Sequence, residues 1–369
     1  MNIGVNLKLL NPGKIGGMEG YVRNLLKQLL EIDSTVRFTL FVTRENESTF
    51  FYPSERVTKI LIPHKNYEPQ ILRGISQNNI SLYFCPLLIL EPLVRHIPSV
   101  VTIPDMQHEF FPRFFPKDIL EWRRKNFKVS AISSTRVLAI SNFTARTIID
   151  ILGVPPDKVH CTHLSGDDEV FGKEADQGVK NQVKEKYGLP DVYGYFPANT
   201  WPHKNHITLL RALKIYKERF GPSPKIVLTG AQDTGHKDLV VAIGELGLQE
   251  DVVFLGYIPK NEIPYLYRNA SFLVFPSFFE GFGMPVLEAM LSDCPVICSD
   301  TTSLPEVGGD AVLYFNPLDP ADIAQSMKLV LDNQDLRQSL IQKGKVQAAK
   351  FSWKATAEQT FAIFRELRS

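Results

Sequence analysis

Pro276-Ser277-Phe278-Phe279-Glu280-Gly281-Phe282-Gly283-Met284-Pro285-Val286-Leu287-Glu288-Ala289-Met290 sets two carboxylates eight positions apart across a glycine loop that opens a helix. The apolar run before it, 271–275, reads as a buried strand, so the stretch is one strand–loop–helix step of a parallel α/β sheet. Pro285 suits the first helical position, where its missing N–H costs nothing. The loop before it turns backbone donors and the positive end of the helix dipole outward, which suits an anion. Gly281 and Gly283 permit close backbone approach, and Glu288 can accept hydrogen bonds from a diol such as a ribose. Residue chemistry alone therefore points to a phosphorylated sugar.

The same alternation of apolar runs and amphipathic segments extends along the whole chain. Strands are expected at 2–7, 36–43, 57–62, 81–84, 98–103, 136–140 and 158–163, and again at 192–197, 225–229, 252–255, 271–275 and 295–298. Val22, Leu25, Leu26, Leu29 and Leu30 recur at helical spacing, which predicts a helix over 18–32. Ser141 reads as the N-cap of another over 142–152. Further helices are expected at 205–219, 236–247, 260–268, 285–292, 320–332 and 335–350.

A chain of 369 residues exceeds one ordinary core and suits two domains of roughly 150–200 residues. The polar tract after Ser165 predicts the division: a first domain over 1–168, a linker over 169–190, and a second over 191–352. Ligands of such sheets bind beyond the carboxyl ends of the strands, so two facing domains imply one deep cleft.

Lys and Arg number 41 against 40 Asp and Glu, a net charge of +1, which argues against a nucleic-acid partner. The four cysteines, 85, 161, 294 and 298, form no C-x-x-C pair and suit a reducing, cytoplasmic compartment. The chain opens directly into a strand without a leader pattern, and its most apolar run, 82–90, is about half the length of a membrane span.

The stretch from Glu280 to Glu288 resembles the E-x7-E element of the retaining nucleotide-sugar glycosyltransferases of family 4. That resemblance implies the GT-B fold, two Rossmann-like α/β domains facing across a deep cleft, with a terminal helix, here 353–369, packing back on the first domain. It further implies that Glu280 contacts donor-sugar hydroxyls, that the backbone of Phe282, Gly283, Met284, Pro285, Val286 and Leu287 holds sugar and pyrophosphate, and that Glu288 binds the ribose.

Five other segments carry the resemblance. Gly13-Lys14-Ile15-Gly16-Gly17-Met18-Glu19-Gly20 is similar to the family's G-G-x-E loop, which implies that Gly16 and Gly17 approach donor phosphate and acceptor. Pro197-Ala198-Asn199-Thr200-Trp201-Pro202-His203-Lys204 supplies Lys204, a fixed ammonium where charge develops on the leaving diphosphate. Family members often carry an arginine five positions earlier; Asn199 stands there in this chain. Tyr257, ending Val252-Val253-Phe254-Leu255-Gly256-Tyr257, matches the segment whose backbone reads the base, and Ser303 falls in a loop that approaches the donor. In the acceptor-side loop Thr102-Ile103-Pro104-Asp105-Met106-Gln107-His108, Pro104 replaces the family's histidine, and His108 is expected as the acceptor-side imidazole.

Between His108 and Val129, six Lys/Arg face three Asp/Glu among Phe110, Phe111, Phe114 and Phe115. This segment reads first as an acceptor-pocket wall with a solvated helix face, and second as a peripheral contact with an anionic bilayer.

The resemblance implies a retaining transferase that moves a hexose, glucose from a UDP-sugar first, to a hydroxyl of a polysaccharide or lipid-linked glycan. Neither a metal nor another cofactor is expected. A GDP-mannose-dependent mannosyltransferase is the alternative. Pro104 and Asn199 also keep a nucleotide-sugar binder without turnover open, whereas the E-x7-E element argues against a nucleotide-sugar epimerase.

Overall fold

Near-continuous apolar strands are what parallel sheets covered on both faces require, and the inner strands Leu82–Cys85, Ser99–Ile103, Phe272–Phe275 and Val296–Ser299 are fully buried. The computed structural model describes residues 1–369 apart from 14–15, 53–54, 174–175 and 368–369. Lys14 and Ile15 of the glycine loop therefore lie outside the described residues. The chain divides into two compact units, Met1–Leu164 with Phe351–Ser369, and Ser165–Lys350.

The first unit contains β1 (Asn2–Asn6), β2 (Arg37–Val42), β3 (Val57–Leu61), β4 (Leu82–Cys85), β5 (Ser99–Ile103), β6 (Arg136–Ala139) and β7 (Val159–Cys161). They form one parallel sheet in the order β3-β2-β1-β4-β5-β6-β7. Every residue of β4 and β5 is buried. The helix Gly17–Ile32 buries Tyr21, Val22, Leu25, Leu26, Leu29 and Leu30, the stripe its periodicity announces. Ser141 caps Asn142–Leu152 by accepting from the Thr144 amide at 3.0 Å.

The chain returns to this unit at its end. Ser352 caps Trp353–Glu366, Trp353 packs 6.4 Å from Tyr21, Phe364 meets Phe84 edge-on at 5.2 Å, and Thr356 Oγ1 donates to the His163 carbonyl at 2.6 Å.

The second unit contains β8 (Tyr193–Pro197), β9 (Lys225–Thr229), β10 (Val252–Gly256), β11 (Phe272–Phe275), β12 (Val296–Ser299) and β13 (Leu313–Phe315). These run parallel in the order β10-β9-β8-β11-β12-β13. The strand order reverses between β8 and β11, so the loops leaving these two strands lie side by side, the place where open α/β sheets take ligands.

One sequence expectation is corrected here, and one strand, β13, was not expected. The tract expected as a linker is folded into the second unit, with helices at Asp168–Phe171 and Gln177–Lys186. Phe171, Val183 and Leu189 are buried within it, Val170 and Val179 are partly buried, and Arg268 donates to the carbonyls of Phe171 and Lys173 at 2.5 Å each. A polar tract can thus be structure when a few of its apolar residues are buried. The short edge strand β13 carries too few residues to show a period. No described helix is long and apolar enough to cross a membrane.

Candidate active site

Placed by the strand reversal, the β8 loop and the β11 loop are tied to one another backbone to backbone. The Phe278 amide donates to the His203 carbonyl at 2.8 Å, and Asn205 Nδ2 donates to the carbonyls of Pro276 and Pro317, both at 2.9 Å. Asn205 adopts a left-handed conformation with φ 64°, which asparagine tolerates, and so joins the 3-10 turn Pro202–Lys204 to the helix His206–Phe220.

This clamp brings Lys204 to Glu280: Nζ lies 2.6 Å from Oε1, with side chains 18 and 12 % exposed. At that burial the pair is shielded from bulk water, and its charges act strongly on whatever binds beside them. Lys204 Nζ also lies 5.4 Å from the Phe275 ring centroid.

The loop is held from behind. Thr302 Oγ1 accepts from the Glu280 amide at 3.1 Å, and Ser303 Oγ lies 2.9 and 2.8 Å from the carbonyls of Glu280 and Phe282. Ser303 is fully buried, and its hydroxyl is engaged by the loop itself. Gly283, the N-cap of Met284–Leu291, has φ 115°, and a Cβ there would fall 2.7 Å from Leu304 Cδ2. Pro285 is thus the second helical residue, not the first.

Glu288 lies one turn into that helix and is half-buried. Its Oε2 accepts from the Tyr267 hydroxyl at 2.9 Å. Burial pushes its carboxyl up to about 7, opposed by the Tyr267 hydrogen bond and the Lys260 charge. Lys260 pairs with Asp167 at 2.8 Å. Asn199 is exposed and its Oδ1 accepts from the Ala231 amide at 2.8 Å, while Tyr257 stands 83 % exposed beyond β10.

In the first unit, Gly16 is the N-cap of Gly17–Ile32 with φ 55°. Glu19 accepts from the Gly13 amide at 2.7 Å and pairs with Arg23 at 2.7 Å, a brace on the glycine loop that loose glycine spacing does not reveal. His108, expected as the acceptor-side imidazole, is enclosed. The imidazole is fully buried, edge-on to Phe127 at 4.9 Å and Phe115 at 6.3 Å, and neither ring nitrogen has a hydrogen-bond partner among the described residues. Burial first, then the Arg123 charge, lowers its pKa to about 4, so it is neutral near pH 7. Pro104 is buried as well, its carbonyl accepting from Thr144 Oγ1 at 3.3 Å.

The site therefore gathers one cation and two carboxylates around a glycine loop and a helix start. Residues 181–347 match the model of the glycosyl transferases group 1 family. O-antigen chain mannosyltransferase B of Escherichia coli is 32 % identical over 73 % of this chain and 70 % of its own length.

The chain belongs to the glycosyl transferases group 1 family. The serotype-specific mannosyltransferase WbdA of Escherichia coli is 28 % identical over 70 % of this chain, but that alignment covers only 31 % of WbdA. Among solved structures, sucrose-phosphate synthase from Thermosynechococcus elongatus superposes with a TM-score of 0.80 at 18 % identity, covering 100 % of this chain and 99 % of that one. At that identity the likeness shows the fold, the GT-B architecture of this group 1 glycosyltransferase.

Sequence reasoning missed Tyr267 because it sits in a short helix, Ile263–Asn269, where an aromatic reads as core. Asn205 was equally silent, since only its φ and its two carbonyl partners reveal its work.

Proposed function

We propose that this group 1 glycosyltransferase moves a hexose, mannose ahead of glucose, from a nucleoside diphosphate sugar to a hydroxyl of a polysaccharide or lipid-linked glycan, with retention of configuration. The observation that carries the reading is the half-buried Lys204–Glu280 pair, 2.6 Å apart, with Glu288 one helical turn beyond the same loop. Mannose comes first because both Escherichia coli relatives are named for mannosyl transfer. A UDP-glucose donor is the second choice.

In this reading the glycosidic C–O bond breaks as negative charge grows on the diphosphate, and the Lys204 ammonium stabilises that charge. Glu280 then accepts hydrogen bonds from donor-sugar hydroxyls, and Glu288 from the ribose diol. The helix N-terminus and Lys204 carry the anionic load without a divalent ion. Asn199 favours a second reading, a nucleotide-sugar binder without turnover, because its side-chain oxygen is committed to the Ala231 amide and adds no cation.

Incubation with labelled GDP-mannose and UDP-glucose, with and without EDTA, separates these readings. Slow release of nucleotide and sugar from one donor, unaffected by EDTA, is expected, and NMR of the product should show the donor's anomeric configuration. Binding without any release would establish the binder; activity restored only by magnesium or manganese would overturn metal independence.

A further inference from the structure

Two oxygens of one carboxylate stand in different surroundings. Glu288 Oε2 is 2.9 Å from the Tyr267 hydroxyl, whereas Oε1 has no hydrogen-bond partner among the described residues. Tyr267 itself has no freedom to turn. It is fully buried, its ring edge-on to Tyr195 at 4.9 Å and to Phe171 at 6.0 Å, and Tyr195 is in turn fixed by a 2.8 Å hydrogen bond to Thr229 Oγ1. A hydroxyl so placed can donate to only one acceptor, and it meets a carboxylate projecting from a different helix, Met284–Leu291.

We propose that Tyr267 is the positioning residue of the donor site: its hydroxyl holds one oxygen of Glu288, so that the other is presented to a vicinal diol. This rests on the donor-site reading above and deepens it. Without the anchor, a Glu side chain one turn into a helix has several rotamers, and ordering it on each binding event costs entropy. With the anchor, the carboxylate is set before the ligand arrives.

The same contact sets the proton affinity of the site. Burial favours the neutral carboxyl of Glu288, and the tyrosine hydroxyl favours the ionised form by donating to it. The other groups facing it are the Lys260–Asp167 pair, whose charges act in opposite directions, and Tyr195 and Cys294, which lie in the same buried cluster. The ionised form is the better acceptor for two diol hydroxyls, so nucleotide affinity should rise with pH as Glu288 loses its proton and level off above that. Removing the hydroxyl leaves burial unopposed and moves the titration upward.

Calorimetric titration with UDP, GDP and ADP from pH 5.5 to 9 tests this on the wild type, Tyr267→Phe, Glu288→Gln and the double variant. Tyr267→Phe keeps both ring contacts. For the best-bound nucleotide, wild-type affinity is expected to break near about 7, where the carboxyl titrates. In Tyr267→Phe the break should move up by roughly one unit, the size expected for one hydrogen bond to an ionised group. Glu288→Gln should show only the diphosphate's own titration, and adding Tyr267→Phe to it should change nothing further. Coincident breaks in wild type and Tyr267→Phe, or a parallel loss of affinity at every pH, would overturn the positioning role alone. Failure of the wild type to bind any of the three nucleotides would overturn the donor-site reading and this inference with it.

Discussion

Lys204 and His108 each carry a basic nitrogen just beyond the carboxyl end of a strand, one in each unit, yet the fold treats them differently. Lys204 stays partly open, 2.6 Å from Glu280, on a loop braced by Asn205. His108 is closed in by Phe115 and Phe127, with neither ring nitrogen hydrogen-bonded among the described residues and Nε2 3.7 Å from Glu109 Oε1. Ligand chemistry needs a group that is fixed by its neighbours and still reachable, and only the lysine meets both conditions. A buried neutral imidazole contributes packing volume instead.

The largest expected effect tests the lysine. Lys204→Ala should lower turnover by about 10²–10³-fold, the size seen when one preorganised stabiliser of developing charge is lost. Free nucleoside diphosphate binding should fall less. Wild-type turnover in the variant would erase the contrast with His108.

Next comes the division between the two carboxylates. Glu288→Ala should weaken nucleotide binding by about tenfold, one charge-assisted contact, while Glu280→Ala should leave free nucleotide affinity nearly intact and impair transfer. Equal losses of nucleotide affinity in both variants would merge the two roles.

How much of this was readable beforehand follows from the kind of signal each residue leaves. The strand–loop–helix context of Glu280 and Glu288 was legible because period and glycine spacing are local properties. The clamp that braces it was not, because Asn205, Thr302 and Ser303 act through backbone partners between 21 and 112 positions away. His108 shows the opposite failure. Its loop position looked functional, but burial depends on Phe127 from the following helix, which the sequence does not announce as a neighbour. The helix Gln177–Lys186 was missed for a related reason: Val183 is its one fully buried residue, too little to set a period.

His108 has a consequence for stability. Its folded-state pKa is lowered to about 4 from 6.5, so the unfolded chain takes up the proton first. The stability of the buried neutral ring is complete above pH 6.5 and is lost as pH falls toward 4. At pH 5 the loss from this group is about 2 kcal/mol by proton linkage. Denaturant melts should show His108→Leu losing less stability than wild type between pH 7 and 5, with transfer at pH 7.5 essentially unchanged. A fall in transfer at subsaturating acceptor, without loss of stability, would return the imidazole to the chemistry.

The smallest effect concerns the helix Lys117–Ser133, where the same distinction between reachable and enclosed side chains decides which cations can act. Arg123 is turned inward, 4.8 Å from Phe115, and Arg124 pairs with Glu109 at 2.9 Å, so neither is free to meet a surface. Trp122, Val129 and Ile132 are exposed along the helix, with Lys125 and Lys128 among them and without ion-pair partners among the described residues. Spacing at three, four and seven residues puts this apolar and basic stripe on one outward face. If it rests on an anionic bilayer, each lysine should contribute on the order of 1 kcal/mol, about fivefold in binding, and salt should weaken the contact as the Debye length shrinks. Co-sedimentation with phosphatidylglycerol vesicles should fall stepwise in Lys125→Glu and in the double variant with Lys128→Glu, whereas Arg123→Gln should lower stability more than binding. Zwitterionic vesicles should bind little. Retention of the double variant at wild-type levels, or no binding of the wild type at low salt, would leave this helix as a solvated wall of the first unit.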